Sequence, residues 1–319
     1  MMETKMIHVN KRCSKREERQ ARIRYARKNL NIYLFLIPGI LFIILFRYMP
    51  MYGLVTGFQD YNIFTGILHS PFVGLKHFKT LFVSPDFYKV LKNTLLISCG
   101  KILFTFPMSI LIAILLNEIG NHFFKKVFQT ILYLPHFLSW VIITGLVVTA
   151  CSPSTGVINQ IITFLGGKPI SFLMDNSWFR TVVIGSEAWK EIGYSAIVFI
   201  AAITGINPEL YEAAKVDGAG KIKQIIHITL PGMISIILLM FILKLGGVLN
   251  ANTEQILLMY NPTVYKTGDV LGTYIYRTGV SQMNYSYATA IGLFESLVGL
   301  VLVLAGNYTS KKATGRSIW

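Results

Sequence analysis

Apolar residues gather into six long runs, at 32–49, 88–116, 130–150, 181–204, 232–249 and 288–307. A helix needs about 20 such residues to cross the hydrocarbon core of a bilayer. The pattern therefore predicts an all-α integral membrane protein with six transmembrane helices. The second run is the longest and holds Lys101 and Pro107, which predicts a tilt or kink there. Between the first two runs, 50–87 is rich in glycine and aromatics and reads as a connection packed over the bundle mouth. Between the fourth and fifth runs the pattern changes to a polar island at 211–231. Asn207 suits an N-cap and Pro208 the first helical position, so a helix is predicted to begin there. Gly218 and Gly220 are predicted to end it, because glycine accepts the left-handed conformation of a helix terminus. A second short helix follows from Lys221 to Leu230, with Ile222, Ile225, Ile226 and Thr229 on one face. Lys221, Lys223, Gln224 and His227 occupy the rest, and Pro231-Gly232 is predicted to stop the helix. This bent pair should lie along a membrane surface, with Ala213 and Ala214 beside Glu212 forming a flat contact that carries one charge. Periodicity alone leaves an ordinary amphipathic connector equally open.

Composition excludes a soluble domain: of 319 residues, 53% are hydrophobic and 14% charged. The net charge of +15 would suggest nucleic acid on a soluble face. Here ten Lys/Arg fall within 1–31, which reads as an uncleaved cytoplasmic arm near anionic lipid rather than a signal peptide or a nucleic-acid-binding tail. With both termini inside, cytoplasmic segments carry eighteen Lys/Arg and outer segments eight, the sign that the positive-inside rule requires. This places the 211–231 island in the cytoplasm. Cys13, Cys99 and Cys151 are too scattered for a disulfide framework or a zinc site. Gly218-Ala219-Gly220-Lys221 and Gly166-Gly167-Lys168 resemble phosphate loops only in part, since neither lysine is followed by Ser or Thr.

Glu212-Ala213-Ala214, then Gly218, Ile228 and Leu230-Pro231 at their spacing, resemble the complete EAA loop of binding-protein-dependent ABC importer permeases. Asp217-Gly218-Ala219 is similar to the sugar-importer version. Phe46 to Gly53, Phe58-Gln59-Asp60-Tyr61, Leu116-Asn117-Glu118, Tyr133-Leu134-Pro135-His136-Phe137, Trp189-Lys190 and Tyr285-Ser286-Tyr287-Ala288 resemble permeases for complex carbohydrates and polysaccharide fragments. The resemblance covers about 33–307 and implies a basic arm at 1–31, a six-span permease domain at 32–308 and a cytoplasmic tail at 309–319. It implies a coupling helix between spans 4 and 5, within 205–231, docked on an ATPase through Glu212, Ala213, Ala214, Asp217, Gly218, Leu230 and Pro231. The partners implied are a second homologous permease, two ABC ATPase subunits and an extracellular solute-binding protein. ATP-Mg would bind the ATPase, leaving this chain without a cofactor and without chemistry of its own in a bacterial cytoplasmic membrane. The substrate implied is a carbohydrate.

Charged residues within the spans are costly and find partners or line cavities. Lys101, Glu187, Lys190, Glu191, Lys244 and Glu295 qualify. Glu187, Lys190, Glu191, Lys244 and Glu295 fall in the outer halves of their spans and are predicted to pair across helices at a common depth. They serve either as clamps of the bundle or as a hydrophilic path. Trp189 and Tyr194 could stack on a sugar ring, or anchor at the interface as belt aromatics. Asn250, Asn252, Tyr285 and Tyr287 are weaker candidates for the path. Two rival functions stay open: an ion-coupled secondary carrier using the intramembrane lysines and carboxylates, and an ABC permease for a non-sugar solute such as peptides.

Overall fold

The computed structural model describes residues 28–315, together with Gln20, Arg24 and Tyr25. The arm read at 1–31 and the end of the tail, including Arg316, thus lie almost wholly outside the described residues. By internal packing the chain divides into residues 1–56 and 57–319.

In the first unit, helix α1 (Leu30–Ile43) continues through a π turn (Ile44–Tyr48) into a 3-10 helix that begins at Met49. Its apolar side chains face every direction, the pattern of a helix immersed in an apolar medium.

The second unit is helical throughout its described residues apart from loops and one isolated bridge, Gln59–Phe72. After α2 (Lys76–Val83) comes α3 (Pro85–Glu118), 34 residues that run unbroken through Pro107. Then follow α4 (His122–Tyr133), α5 (Trp140–Ala150), α6 (Val157–Phe164), α7 (Phe179–Thr204) and α8 (Pro208–Val216). The chain closes with α9 (Leu230–Gly246), α10 (Thr253–Met259), α11 (Leu271–Tyr276) and α12 (Tyr285–Thr314). Among the described residues, four helices are long and apolar enough to cross a membrane, or up to six if each of two bent pairs is one span.

One of those pairs shows that the run at 130–150 is not one continuous helix. A short 3-10 turn (Leu134–Phe137) ends α4, and α5 starts afresh at a 103° bend. Ser139 Oγ accepts the Ile142 N–H, a new N-cap that satisfies part of the restarted helix. The structure corrects the reading of Pro231, which does not stop its helix. Proline lacks an N–H and its ring crowds the carbonyl four residues back. The π turn Ile225–Thr229 relieves that clash: the Leu230 N–H reaches five residues back to the Ile225 carbonyl, and the helix runs on as α9. The same device precedes Pro50, where the Met49 N–H bonds the Ile44 carbonyl. In the same stretch Gln224, read as surface decoration, is 5% exposed and donates to the Ala219 carbonyl at 2.8 Å, whereas Ile222 is exposed.

Helices α3 and α7 form the axis of the second unit, with Phe106, Ala113, Ala196, Phe199 and Ile203 packed along one half of it. On the other side, α9 and α12 approach closely where Gly246 and Gly299 meet; a Cβ on Gly299 would lie 2.6 Å from the Gly246 carbonyl. The segment 250–284 is no simple loop. Ile256, Val264, Val270 and Leu271 are fully buried against the α3–α7 axis. Arg180 Nη2 donates to Asn93 Oδ1 at 2.7 Å and Arg180 Nε to the Thr267 carbonyl, tying this segment to the start of α7. The bend into α8 lies at the other end of α7, roughly 39 Å away along a helix of 26 residues.

Candidate translocation site and docking loop

Half-way along α3, Lys101 is 5% exposed and uses all three of its N–H donors. Its Nζ lies 2.5 Å from Glu187 Oε2, 2.6 Å from Gln255 Oε1 and 2.8 Å from the Ala251 carbonyl. Gln255, fully buried, passes the link on to α7 through the Val183 carbonyl and Ser186 Oγ. Ala251 and Asn252 both hold left-handed backbone conformations, at φ 51 and 55. Such conformations cost non-glycine residues energy, and the lysine bonded to the Ala251 carbonyl helps hold the turn. Asn252 Nδ2 in turn donates to Glu187 Oε2 at 3.4 Å.

These groups surround a cavity of about 200 Å³ whose lining includes Ser98, Lys101, Glu187, Lys244, Ala251 and Asn252. Lys244 has no carboxylate partner among the described residues. Ser98 Oγ is buried without a protein hydrogen-bond partner.

One turn further along α7 the surroundings change. Lys190 donates to three backbone carbonyls, of Pro135 (3.3 Å), His136 (2.6 Å) and Leu138 (2.5 Å). These are the acceptors freed where α4 breaks, so the lysine caps the 103° bend. It also lies 5.5 Å from the Trp140 ring centroid. Glu191 meets His136 Nδ1 at 3.2 Å, and Tyr194 stacks on the His136 ring at 3.7 Å and 1°. Gly193 permits this approach, since a Cβ there would lie 2.0 Å from the Leu132 carbonyl.

The predicted pairing among Glu187, Lys190, Glu191, Lys244 and Glu295 does not occur. Residues one turn apart are about 5 Å apart in height, so each meets a different neighbour. Glu187 meets Lys101 and Glu191 meets His136, while Glu295 takes a hydrogen bond from Asn250. Trp189 is half exposed and does not line the cavity; one face of Tyr194 is covered by His136. Tyr285 sits apart, edge-on to Tyr61 at 5.9 Å, and Tyr287 is buried against Tyr274. Gln255 and Ser98 escaped sequence reading, for a single buried amide or hydroxyl in an apolar run gives no periodic signal.

The segment 250–284 holds another tight group. Asp269, nearly buried, takes two bonds from Arg277, at 3.0 and 2.7 Å, and one from Thr273. The Arg277 guanidinium lies over the Tyr265 and Tyr274 rings, and the Asp269 carboxylate holds it well above the usual arginine range.

At the opposite end, Asn207 Oδ1 accepts the Glu209 N–H and caps α8, and Gly218 ends the turn at φ +72. Glu212, Ala213, Asp217 and Gly218 are exposed, with Ala214 half-buried. Leu210, Val216 and Ile222 add exposed apolar surface. Two contacts fix this loop from behind: Tyr211 OH to Thr229 Oγ1 at 3.0 Å, and Lys221 Nζ to Glu118 Oε2 at 2.6 Å at the end of α3. Leu230 is half-buried and Pro231 exposed at the start of α9.

A helical bundle with apolar spans, a polar cavity inside and a charged apolar loop at one end defines a membrane transport component. The chain belongs to the family described as binding-protein-dependent transport system inner membrane component, whose profile matches residues 105–314. It is a multi-pass permease of an ABC transporter rather than an enzyme. It is 46% identical over 281 residues to the polygalacturonan/rhamnogalacturonan transport system permease protein YteP of Bacillus subtilis (strain 168), covering 88% of each chain. Protein LplB of the same organism is 43% identical over 281 residues, again with 88% of each chain covered. Among solved structures, a chain of a bacterial ABC transporter that imports the acidic polysaccharide alginate superposes with a TM-score of 0.84. That chain shares 44% identity, with 91% of this chain and 98% of the other covered. A second structure, of an alginate ABC transporter in complex with an alginate pentasaccharide-bound periplasmic protein, gives 0.84 at 43% identity, over 92% of this chain and 98% of the other.

Proposed function

We propose that this chain is the permease subunit of an ATP-driven importer that takes up oligosaccharides or polysaccharide fragments by alternating access. The observation that carries the reading is the near full-length similarity, above 40% identity, to permeases named for polysaccharide transport. In this reading the chain crosses the membrane six times. The pair α4–α5 makes one span, and α7, with 26 residues, crosses alone. The 71° turn after α7 then lays α8 along the cytoplasmic surface as the coupling helix. Both termini are cytoplasmic. Partners are a second homologous permease, two ABC ATPase subunits that bind ATP-Mg, and an extracellular solute-binding protein.

Support for the coupling role comes from the loop itself. Exposed Glu212 and Ala213 offer a small-residue contact with one charge, and Lys221–Glu118 and Tyr211–Thr229 tie that contact to α3 and α9. A push on α8 would therefore be passed to the helices that line the cavity. Glu212→Lys reverses the docking charge on an exposed residue. Membrane insertion and yield should stay normal, while co-purification of the ATPase and uptake into sealed vesicles fall at least about tenfold. Normal uptake in that variant overturns the coupling assignment. Wild-type uptake that survives loss of internal ATP but collapses with the proton gradient overturns the ATP-driven reading in favour of a secondary carrier.

A further inference from the structure

The cavity between α3, α7 and α9 is electrostatically lopsided. Lys101 and Glu187 cancel as a pair, with every lysine donor and one carboxylate oxygen already engaged. Lys244 contributes a positive charge to the same lining, and the two ammonium groups repel each other. The cavity is therefore net positive. A cation inside a membrane bundle is costly without a counter-charge, so such a lining favours an anion that enters from outside the chain. Two neutral groups stand beside it. Ser98, 4% exposed, presents an unpartnered hydroxyl, and Asn252, whose amide already donates to Glu187 at 3.4 Å, has a second amide hydrogen to offer. At about 200 Å³ the space has room for several waters or a single sugar ring.

We propose that Lys244 is the group that receives the carboxylate of a uronate residue as the saccharide passes through, with Ser98 and Asn252 bonding the same sugar. The Lys101–Glu187 pair shields the site from its own carboxylate: free, Glu187 would repel the substrate. This inference rests on the carbohydrate reading above and narrows it to acidic saccharides, with Lys244 setting the preference. A lysine fits the task better than an arginine fork fixed on one carboxylate, because a point charge on a flexible stem can pass a moving anion along.

The test uses the complete importer with its ATPases and binding protein in proteoliposomes. Uptake of a uronate trisaccharide, of galacturonate or mannuronate, is compared with uptake of its methyl ester at equal length. Lys244→Gln should lower the acid-to-ester ratio about tenfold, mainly through KM, as expected for one charge-assisted contact. Lys244→Arg should keep the ratio within about threefold of wild type, since the charge remains. Asn252→Asp places a second carboxylate beside Glu187 and should lower the ratio in the same direction; it carries the test if Lys244→Gln fails to assemble. A ratio unchanged in both variants overturns the proposal, as does an equal loss of acid and ester in Lys244→Gln. Wild-type import of neutral saccharides alone overturns it while leaving the carbohydrate reading intact. Import of no saccharide at all overturns both.

Discussion

Two buried lysines, Lys101 and Lys190, lie on adjacent helices at 5% and 6% exposure, yet their surroundings differ in kind. Lys190 is bonded to three carbonyls of one broken helix and lies near an indole ring, so its charge completes a piece of backbone. Lys101 is bonded to a carboxylate, an amide and a carbonyl from separate elements, beside open space. A buried charge is thus open to a further partner only where a cavity adjoins it; where the partners are the ends of a helix, it is scaffolding. Exposure alone does not separate the two cases, and neither does residue type.

Substitution should separate them by whether a second change rescues the first. Lys101→Met leaves Glu187 buried without its cation, which should cost about 3–5 kcal/mol in unfolding of the assembled complex. Lys101→Met with Glu187→Met should recover at least half of that loss, because no orphan charge remains. Lys190→Met leaves carbonyls without donors, at about 1–3 kcal/mol for a buried group, and no side-chain change can remove a backbone carbonyl. Combining it with Glu191→Gln should therefore restore nothing. Thermal unfolding of the purified complex in detergent reads all four variants. Rescue of Lys190→Met by any neighbouring side-chain change would dissolve the distinction.

The glycine beside each lysine repeats the contrast on a smaller scale. A Cβ on Gly193 would lie 2.0 Å from the Leu132 carbonyl, a backbone atom that cannot move without unseating the α4–α5 bend. A Cβ on Gly100 would lie 2.5 Å from Ile184 Cδ1, the tip of a side chain that can turn away. Gly193→Ala should therefore cost about 1–3 kcal/mol by overpacking. Gly100→Ala should stay within about 1 kcal/mol, since helix propensity offsets part of the strain. The same unfolding measurement checks both, and equal losses would show that the cavity side is as rigid as the bend.

Legibility in the sequence followed the range of the interaction. Asn207, Pro208 and Gly218 act on residues within one turn, and the cap, the first turn and the terminus of α8 were all readable from them. Pro231 misled because its local rule is right but its remedy, a π turn four residues upstream, leaves no compositional mark. The break in the third run was present in the letters, as Pro135 followed by the capping Ser139, but the apolar run around them masked it. The partners of Lys101 were out of reach: Glu187 and Gln255 lie 86 and 154 residues away, and only the packing of α3 on α7 and α10 brings them together. The exposed surface of α8 shows which side chains face outward, but a partner that docks on them leaves no mark in the packing of the chain itself.

An exposed pair sets the lower end of the same scale. Asp60 bonds Lys76 at 2.7 Å and lies 3.1 Å from His77 Nε2, and the lysine holds its carboxyl below the usual carboxylate range. With the folded value depressed, its stabilisation is present above the unfolded pKa of about 3.9 and is lost as pH falls through the lower folded value. Both side chains are more than a third exposed, so water and salt screen the pair and its worth should not exceed about 0.5 kcal/mol. Asp60→Asn should therefore lower the unfolding temperature slightly at pH 7, and the gap from wild type should close at low pH or in high salt. A loss that approaches that of Lys101→Met and persists in high salt would mean that Asp60 is shielded in the assembled importer, and that a buried setting rather than an adjoining cavity governs what these charges contribute.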